Sequence, residues 1–311
     1  MIDFTGQVAV VTGAGRGLGR RYAQELAARG AAVVVNDLGG SMRGEGADTS
    51  VADQVVREIQ QAGGRAVASY KSVTSPEGGS AIVRAAVDTF GRLDVVVSNA
   101  GIFNSIAFED MTPADWRRML EVHLDGGFHL SHAAYPVMKE QRYGRFVFIS
   151  SSGGMFGQPM ESHYAAAKAG LVGLSNVISI EGEPHGIKSN TVLPFGFSRM
   201  VTETVGDPEA LADLGFLKVI DPDLVVPMVV FLASRDCEST HHNYSACAGR
   251  FARVFVGLGE GWLAEPETRP TADDIAAHLP EISATEPFTV PGSIFEEIFG
   301  ICERLGVNPL R

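Results

Sequence analysis

The chain has 311 residues, 45% of them hydrophobic and 20% charged, with a formal net charge of −12. That is enough apolar material for one large core, since single α/β domains run to about 250 residues or beyond, and it excludes a disordered or collagen-like chain. The acidic balance repels nucleic acid and anionic membranes, no apolar run reaches the ~18 residues that span a bilayer, and Met1-Ile2-Asp3-Phe4 lacks the positive start of a secretion signal, so we expect a cytoplasmic protein with neither partner.

The first predicted elements form a strand, a glycine loop and a helix. Gln7 to Val11 is an apolar run of strand length, Thr12-Gly13-Ala14-Gly15-Arg16-Gly17-Leu18-Gly19 follows, and Arg20 to Gly30 reads as a helix ending at glycine. Glycines let the backbone turn tightly and approach a pyrophosphate, whose charge the helix N-terminus then stabilises. Their spacing, Gly13, Gly17 and Gly19, is Thr-Gly-x3-Gly-x-Gly, with Leu18 where the G-x-G-x-x-G fingerprint needs glycine. A second strand, Ala32 to Val35, runs into Asn36-Asp37. A carboxylate there accepts hydrogen bonds from the adenosine ribose and repels a 2′-phosphate, which points to NAD, although Arg16 in the loop could pair with such a phosphate.

Strands and helices then alternate as a parallel sheet requires. A glycine-rich loop (39–46) precedes a helix near 49–61, a strand near 66–70 and a helix near 76–90. The apolar strand 93–97 carries Asn99-Ala100-Gly101 at its carboxyl end, where open α/β sheets hold their ligands. A long helix over about 113–140, a strand over 145–149, a helix to about 183, a strand over 187–193, a helix near 222–233 and a last strand at 254–256 complete the pattern. We therefore expect a Rossmann-like, doubly wound parallel sheet of about seven strands with helices on both faces. Residues 1–262 would be one catalytic domain. Residues 263–311, punctuated by Pro266, Pro270, Pro280, Pro287 and Pro291, would be an extension with helices near 272–278 and 294–305, packing on the domain or on a neighbouring subunit.

Chemistry is concentrated between the fifth predicted strand and the helix after it. Ser151, Tyr164 and Lys168 form Ser-x12-Tyr-x3-Lys, a polarising hydroxyl, a phenolic acid/base and a cation. Tyr164 and Lys168 lie one helical turn apart on one face, and a nearby ammonium favours the phenolate of a group whose ordinary pKa is ~10. Such a set can move a proton to or from a carbonyl oxygen.

These motifs, in this order, resemble the short-chain dehydrogenase/reductase family over residues 5 to 262. Thr12 to Gly19 matches its cofactor loop, Ser98-Asn99-Ala100-Gly101 its Asn-Asn-Ala-Gly motif with one substitution, and Ser151, Tyr164 and Lys168 its catalytic residues. The resemblance implies that Tyr164 is the acid/base, that Ser151 holds the substrate oxygen, and that Lys168 binds the nicotinamide ribose while lowering the Tyr164 pKa. It implies a cofactor site that also includes Gly13, Arg16, Gly17, Leu18, Gly19, Asp37, Ser72, Val73, Asn99, Ala100, Gly101, Pro194, Gly196 and Phe197. It further implies a homodimer or homotetramer joined through the two long central helices. The chain departs from the family at Val122-His123-Leu124, where most relatives carry asparagine, so the proton relay falls to His123 or to a backbone-held water.

Within the family, Asn36-Asp37-Leu38-Gly39-Gly40, Val122-His123-Leu124 with Gly127-Phe128, Ser198-Arg199-Met200 and Gly257 to Trp262 resemble the dehydrogenase domains of multifunctional enzyme type 2, also called 17β-hydroxysteroid dehydrogenase type 4. That group oxidises (3R)-hydroxyacyl-CoA and some 17β-hydroxysteroids with NAD, so the resemblance implies a small hydrophobic or acyl-CoA substrate. Phe195-Gly196-Phe197 is bulkier than the resemblance predicts. Phe103, Met155, Phe156, Phe195, Phe197 and Met200 suit an apolar pocket, with Arg43, Arg199 and Arg253 as candidates for CoA phosphates. The alternatives are an NADPH-dependent 3-ketoacyl reductase and a non-catalytic NAD-binding sensor or scaffold.

No metal site is expected. Cys237, His241, His242 and Cys247 fit no ligand spacing, and His129 and His132 on the long helix suit interface packing. Three cysteines, Cys237, Cys247 and Cys302, should be free thiols.

Overall fold

Valine-rich runs buried on both faces make the central strands of a parallel sheet, because helical crossovers cover both sides. In the computed structural model, which describes residues 1–196 and 220–307, β1 (Val8–Thr12), β2 (Ala32–Asn36) and β4 (Val95–Ser98) have this character. The order along the sheet is β3-β2-β1-β4-β5-β6-β7-β8, with β3 at Arg65–Ser69, β5 at Gly144–Ile149, β6 at Ile187–Phe195, β7 at His242–Cys247 and β8 at Arg250–Val254. The pairs from β3 through to β7 are all parallel. Seven parallel strands match the expected number. The eighth follows β7 through Ala248-Gly249, both at positive φ (53° and 75°), a two-residue connection that only an antiparallel hairpin allows.

The period of two along the strands divides the core. Ala9, Val11, Val33, Val35 and Val97 face one way, with Tyr22 and Leu26 of α1 (Gly17–Ala28), Val55 and Ile59 of α2 (Ser50–Gln61) and residues 226–233. Val8, Val10, Val34, Val96 and Phe148 face the other, with Ile82 of α3 (Pro76–Phe90), Leu130 of α5 (Gly126–Gln141) and Leu171 of α7 (Ser162–Gly182). α4 (Pro113–Leu120) runs into α5 through a π-helical turn, Glu121–Asp125, so the long predicted helix exists but carries a bulge at His123. α6 (Ser152–Phe156) is one short turn after β5. Beyond β6 comes α8 (Val226–Ala233).

The last strand was expected at 254–256, but the seventh parallel strand is β7 at His242–Cys247. Its sequence, His-Asn-Tyr-Ser-Ala-Cys, lacks an apolar run because two of its three buried residues, Asn243 and Ser245, are polar: Thr191 Oγ1 donates to Asn243 Oδ1 at 2.7 Å.

The chain divides into two compact units, Met1–Arg253 and Val254–Arg311. The second unit pairs Leu258–Gly259 with Phe288–Thr289 antiparallel, stacks Trp262 on His278 at 4.2 Å, and contains helices at Ala272–Ala277 and Ile294–Arg304. No helix among the described residues is long and apolar enough to cross a membrane.

Candidate active site

The carboxyl ends of β1, β2, β4, β5 and β6 open on one cleft of about 1010 Å³, lined from Gly13 and Asp37 at one end to Ser151, Tyr164 and Lys168 at the other. β1 and β4 are neighbours although β2 and β3 intervene in sequence, so the strand order reverses there and leaves the crevice in which such sheets hold ligands. The glycine loop lies over it, braced from β4. Thr12 Oγ1 accepts from the backbone N–H of Asn99 and of Ala100 (3.0 Å each), and Asn99 Nδ2 donates to the carbonyls of Thr12 (3.0 Å) and Gly13 (3.2 Å). Two glycines are sterically required: a Cβ on Gly19 would stand 2.2 Å from the Gly13 carbonyl oxygen, and one on Gly13 would stand 2.9 Å from Ala100 Cα at a φ of +63°.

Asp37 reaches the loop from the end of β2. Its Oδ2 accepts from Gly15 N–H at 2.8 Å and its Oδ1 from Gly39 N–H at 2.7 Å, so the carboxylate lines the cleft at a fixed orientation. Arg16 is exposed and donates to the Gly40 carbonyl at 3.3 Å. Leu18, Gly17, Ser72, Val73, Gly101, Pro194 and Gly196 line the same cleft; Phe197, Arg199 and Met200 lie outside the described residues. The cleft also includes two residues that no sequence motif marks, Glu161 and Arg118, the latter donating to the Gly44 carbonyl at 2.5 Å.

At the catalytic end, Lys168 is only 4% exposed and donates from Nζ to the Ile149 carbonyl at 2.6 Å, with Nζ 5.5 Å from the centre of the Tyr164 ring. Burial pulls the Lys168 pKa down to about 7. Burial also pushes the Tyr164 phenol up to about 12; the Ser151 hydroxyl acts against this and the Glu161 charge adds to it. The expected lowering of Tyr164 by Lys168 is not what the structure without cofactor has: burial dominates the phenol, the group acting against it is the Ser151 hydroxyl, and burial also weakens the Lys168 ammonium. Ser151 caps α6, accepting from Gly153 N–H at 3.1 Å. Phe103 packs its ring edge-on to Tyr164 at 5.3 Å.

His123 also packs against the Tyr164 ring, at 5.3 Å and nearly perpendicular. It is 3% exposed, its Nε2 lies 2.8 Å from the Ile102 carbonyl, and its Nδ1 is buried without a hydrogen-bond partner among the described residues. Burial holds its pKa well below the ordinary histidine value, with the nearby Lys168 charge in support, so the ring is neutral. Gly101 makes room for it, since a Cβ there would stand 2.4 Å from His123 Cε1. His129 and His132 flank the exposed Phe128 ring, and no group of three or more potential ligands for a metal occurs among the described residues. The three cysteines are free thiols.

The arrangement suits a nicotinamide dinucleotide: the loop presents backbone where side chains would clash, Asp37 faces the cleft, and the proton-transfer residues stand at its other end. Known proteins agree. The family pattern described as short chain dehydrogenase matches residues 7–209. Mouse peroxisomal multifunctional enzyme type 2 is 40% identical over all of this chain, which spans 42% of that enzyme. The structure of the full-length Drosophila melanogaster enzyme of the same name superposes with a TM-score of 0.80 at 32% identity, covering 98% of this chain and 50% of the other. A Mycobacterium avium carveol dehydrogenase in complex with NAD gives a TM-score of 0.74 at 27% identity, covering 80% of this chain and 99% of the other. An oxidoreductase of CH–OH groups with a nicotinamide cofactor is the activity this fold and site carry, and the chain belongs to the short-chain dehydrogenase/reductase family.

Proposed function

We propose that the protein oxidises the hydroxyl of a (3R)-hydroxyacyl-CoA, or of a related hydroxysteroid, with NAD. The observation that carries this reading is the single cleft joining a loop built for a dinucleotide to Ser151, Tyr164 and Lys168. The glycine loop and Asp37 would hold the adenosine half, and Lys168 the nicotinamide ribose. The cofactor supplies the hydride acceptor. Tyr164 takes the hydroxyl proton, Ser151 holds the oxygen as it becomes a carbonyl, and the neutral His123 packs edge-on against the phenol ring. Phe103, Phe156 and Phe195 line an apolar wall that suits an acyl chain or a steroid better than a sugar. The likeness to peroxisomal multifunctional enzyme type 2 favours the thioester. We also take the protein to act in the cytoplasm as a homo-oligomer, joined through α5 and α7, whose outer faces expose Phe128, Val177 and Ile180.

Cofactor choice rests on Asp37. NADP would bring a dianion against a carboxylate, whereas Arg16 can stay in solvent when NAD binds. Wild type should use NAD with at least ~10-fold higher kcat/KM than NADP, and Asp37→Ala should cut that ratio about tenfold, the worth of hydrogen bonds to a charged group. Equal efficiencies in the wild type would sink the assignment.

The pH dependence has a definite sign. Oxidation needs the phenolate and reduction needs the phenol, and burial places the Tyr164 pKa at about 12. Below that value the phenolate fraction grows about tenfold per pH unit. Oxidation kcat/KM should therefore climb between about pH 7 and pH 9 while reduction stays flat. A plateau of oxidation below pH 7 would show a phenol already ionised.

A further inference from the structure

Glu161 occupies the N-cap position of α7 without capping it: its side chain makes no hydrogen bond to the helix end. The residue is 5% exposed and lines the cleft. Burial raises the pKa of its carboxyl, and among the described residues no hydrogen bond or ion pair reaches that carboxyl. A largely buried carboxyl with no partner among the described residues is costly, and three residues before Tyr164 it also works against the phenolate. Gly153 ties it to the reacting centre. The point where a Cβ of Gly153 would lie is 3.4 Å from Ser151 Oγ and 3.6 Å from Glu161 Oε2, so these two oxygens are at most about 7 Å apart.

We propose that Glu161 is a specificity-determining residue whose carboxyl accepts a hydrogen bond from a donor that the substrate carries several bonds away from the reacting carbinol. The inference rests on the alcohol-dehydrogenase reading and deepens it. In a 3-hydroxyacyl-CoA that donor is the first amide N–H of the pantetheine arm, six bonds from the carbinol carbon and roughly 7–8 Å away when extended. Hydrogen bonds of ~2.8 Å to Ser151 at one end and Glu161 at the other match this reach. In a hydroxysteroid the same donor would be a second hydroxyl. Both protonation states of the carboxyl keep an acceptor oxygen, and a substrate lacking the donor leaves that oxygen desolvated and unpaired, which is how sites built for a hydrogen bond reject such analogues.

The test compares matched pairs of 3-hydroxyacyl thioesters, one with an acetamidoethyl arm and one with the acetoxyethyl arm that replaces N–H by oxygen, and matched steroid diols and mono-alcohols. Wild type should prefer the amide thioester by about 10- to 100-fold in kcat/KM. Glu161→Leu should reduce that ratio to within about threefold of unity, and Glu161→Gln, which keeps an acceptor oxygen, should retain most of it. If neither thioester is oxidised but the steroid pair shows the same pattern, Glu161 keeps its role and the thioester reading falls. A wild type that ignores the donor in both pairs, or a Leu variant that discriminates as well as wild type, overturns the proposal.

Discussion

Tyr164→Phe should lower turnover by at least ~10²-fold while leaving cofactor affinity within about twofold of wild type. The substitution removes one oxygen and keeps the ring that Phe103 and His123 hold edge-on, so neither the packing nor the glycine loop has reason to move. What disappears is the acid/base, and general acid–base catalysis is worth 10²–10⁴-fold. Because the phenol is needed when the proton leaves and not when substrate binds, the loss should fall on kcat with KM little changed. The measurement is steady-state kinetics beside a direct binding titration. Turnover within tenfold of wild type would put the base elsewhere, and His163 and His123 would be the residues to replace next.

Lys168→Met should damage both binding and turnover, which separates it from Tyr164→Phe. Lys168 is held by the Ile149 carbonyl and lies beside the phenol, so its loss removes a donor facing the cleft and the positive charge nearest the ring. Removing one preorganised donor from a water-poor site costs about 10²–10³ in rate. Folding stability gives an independent reading. The Lys168 pKa falls from the ordinary 10.5 to about 7 in the folded chain. Between those values the unfolded chain binds a proton that the folded chain lacks, so Lys168 makes stability rise with pH across that window. Lys168→Met removes that rise, and melting curves from about pH 7 to pH 10 without cofactor should flatten relative to wild type. An unchanged slope would mean that Lys168 remains charged in the fold.

The sheet was legible because parallel strands buried on both faces must be apolar throughout, and Val8 to Val11, Ala32 to Val35 and Val95 to Val97 are. α3 could be read to the residue: Ser75 caps it by accepting from Gly78 N–H, Pro76 begins it, and Gly91 ends it at a φ of 81°. β7 was not legible, because two of its three buried positions are polar, Asn243 and Ser245, with Asn243 held by the Thr191 hydroxyl, and such a strand shows no apolar run. The bulge at His123 left no signal either, since five residues in a π turn have the composition of a helix.

In the site, the residues of chemistry could be found by type and spacing, but their charge states could not. Tyr164 and Lys168 stand one turn apart as the spacing required. Whether the pair is dominated by mutual attraction or by loss of water depends on how deeply both are buried, and burial comes from residues such as Phe103 and His123 that are distant in sequence. Glu161 escaped notice for the same reason. An acidic residue at the start of a helix is ordinary, and only its lack of a capping bond and its place in the cleft distinguish it.

One assay bears most directly on the proposed activity: purified protein, NAD and the two enantiomers of a medium-chain 3-hydroxyacyl-CoA, with NADH formation as the readout. The (3R) enantiomer should be oxidised and the (3S) enantiomer should react at least ~10²-fold more slowly, because a cleft that fixes both Ser151 and Tyr164 on one side of the carbinol presents only one face to hydride transfer. Preference for the (3S) enantiomer, or NADH from neither, would contradict it.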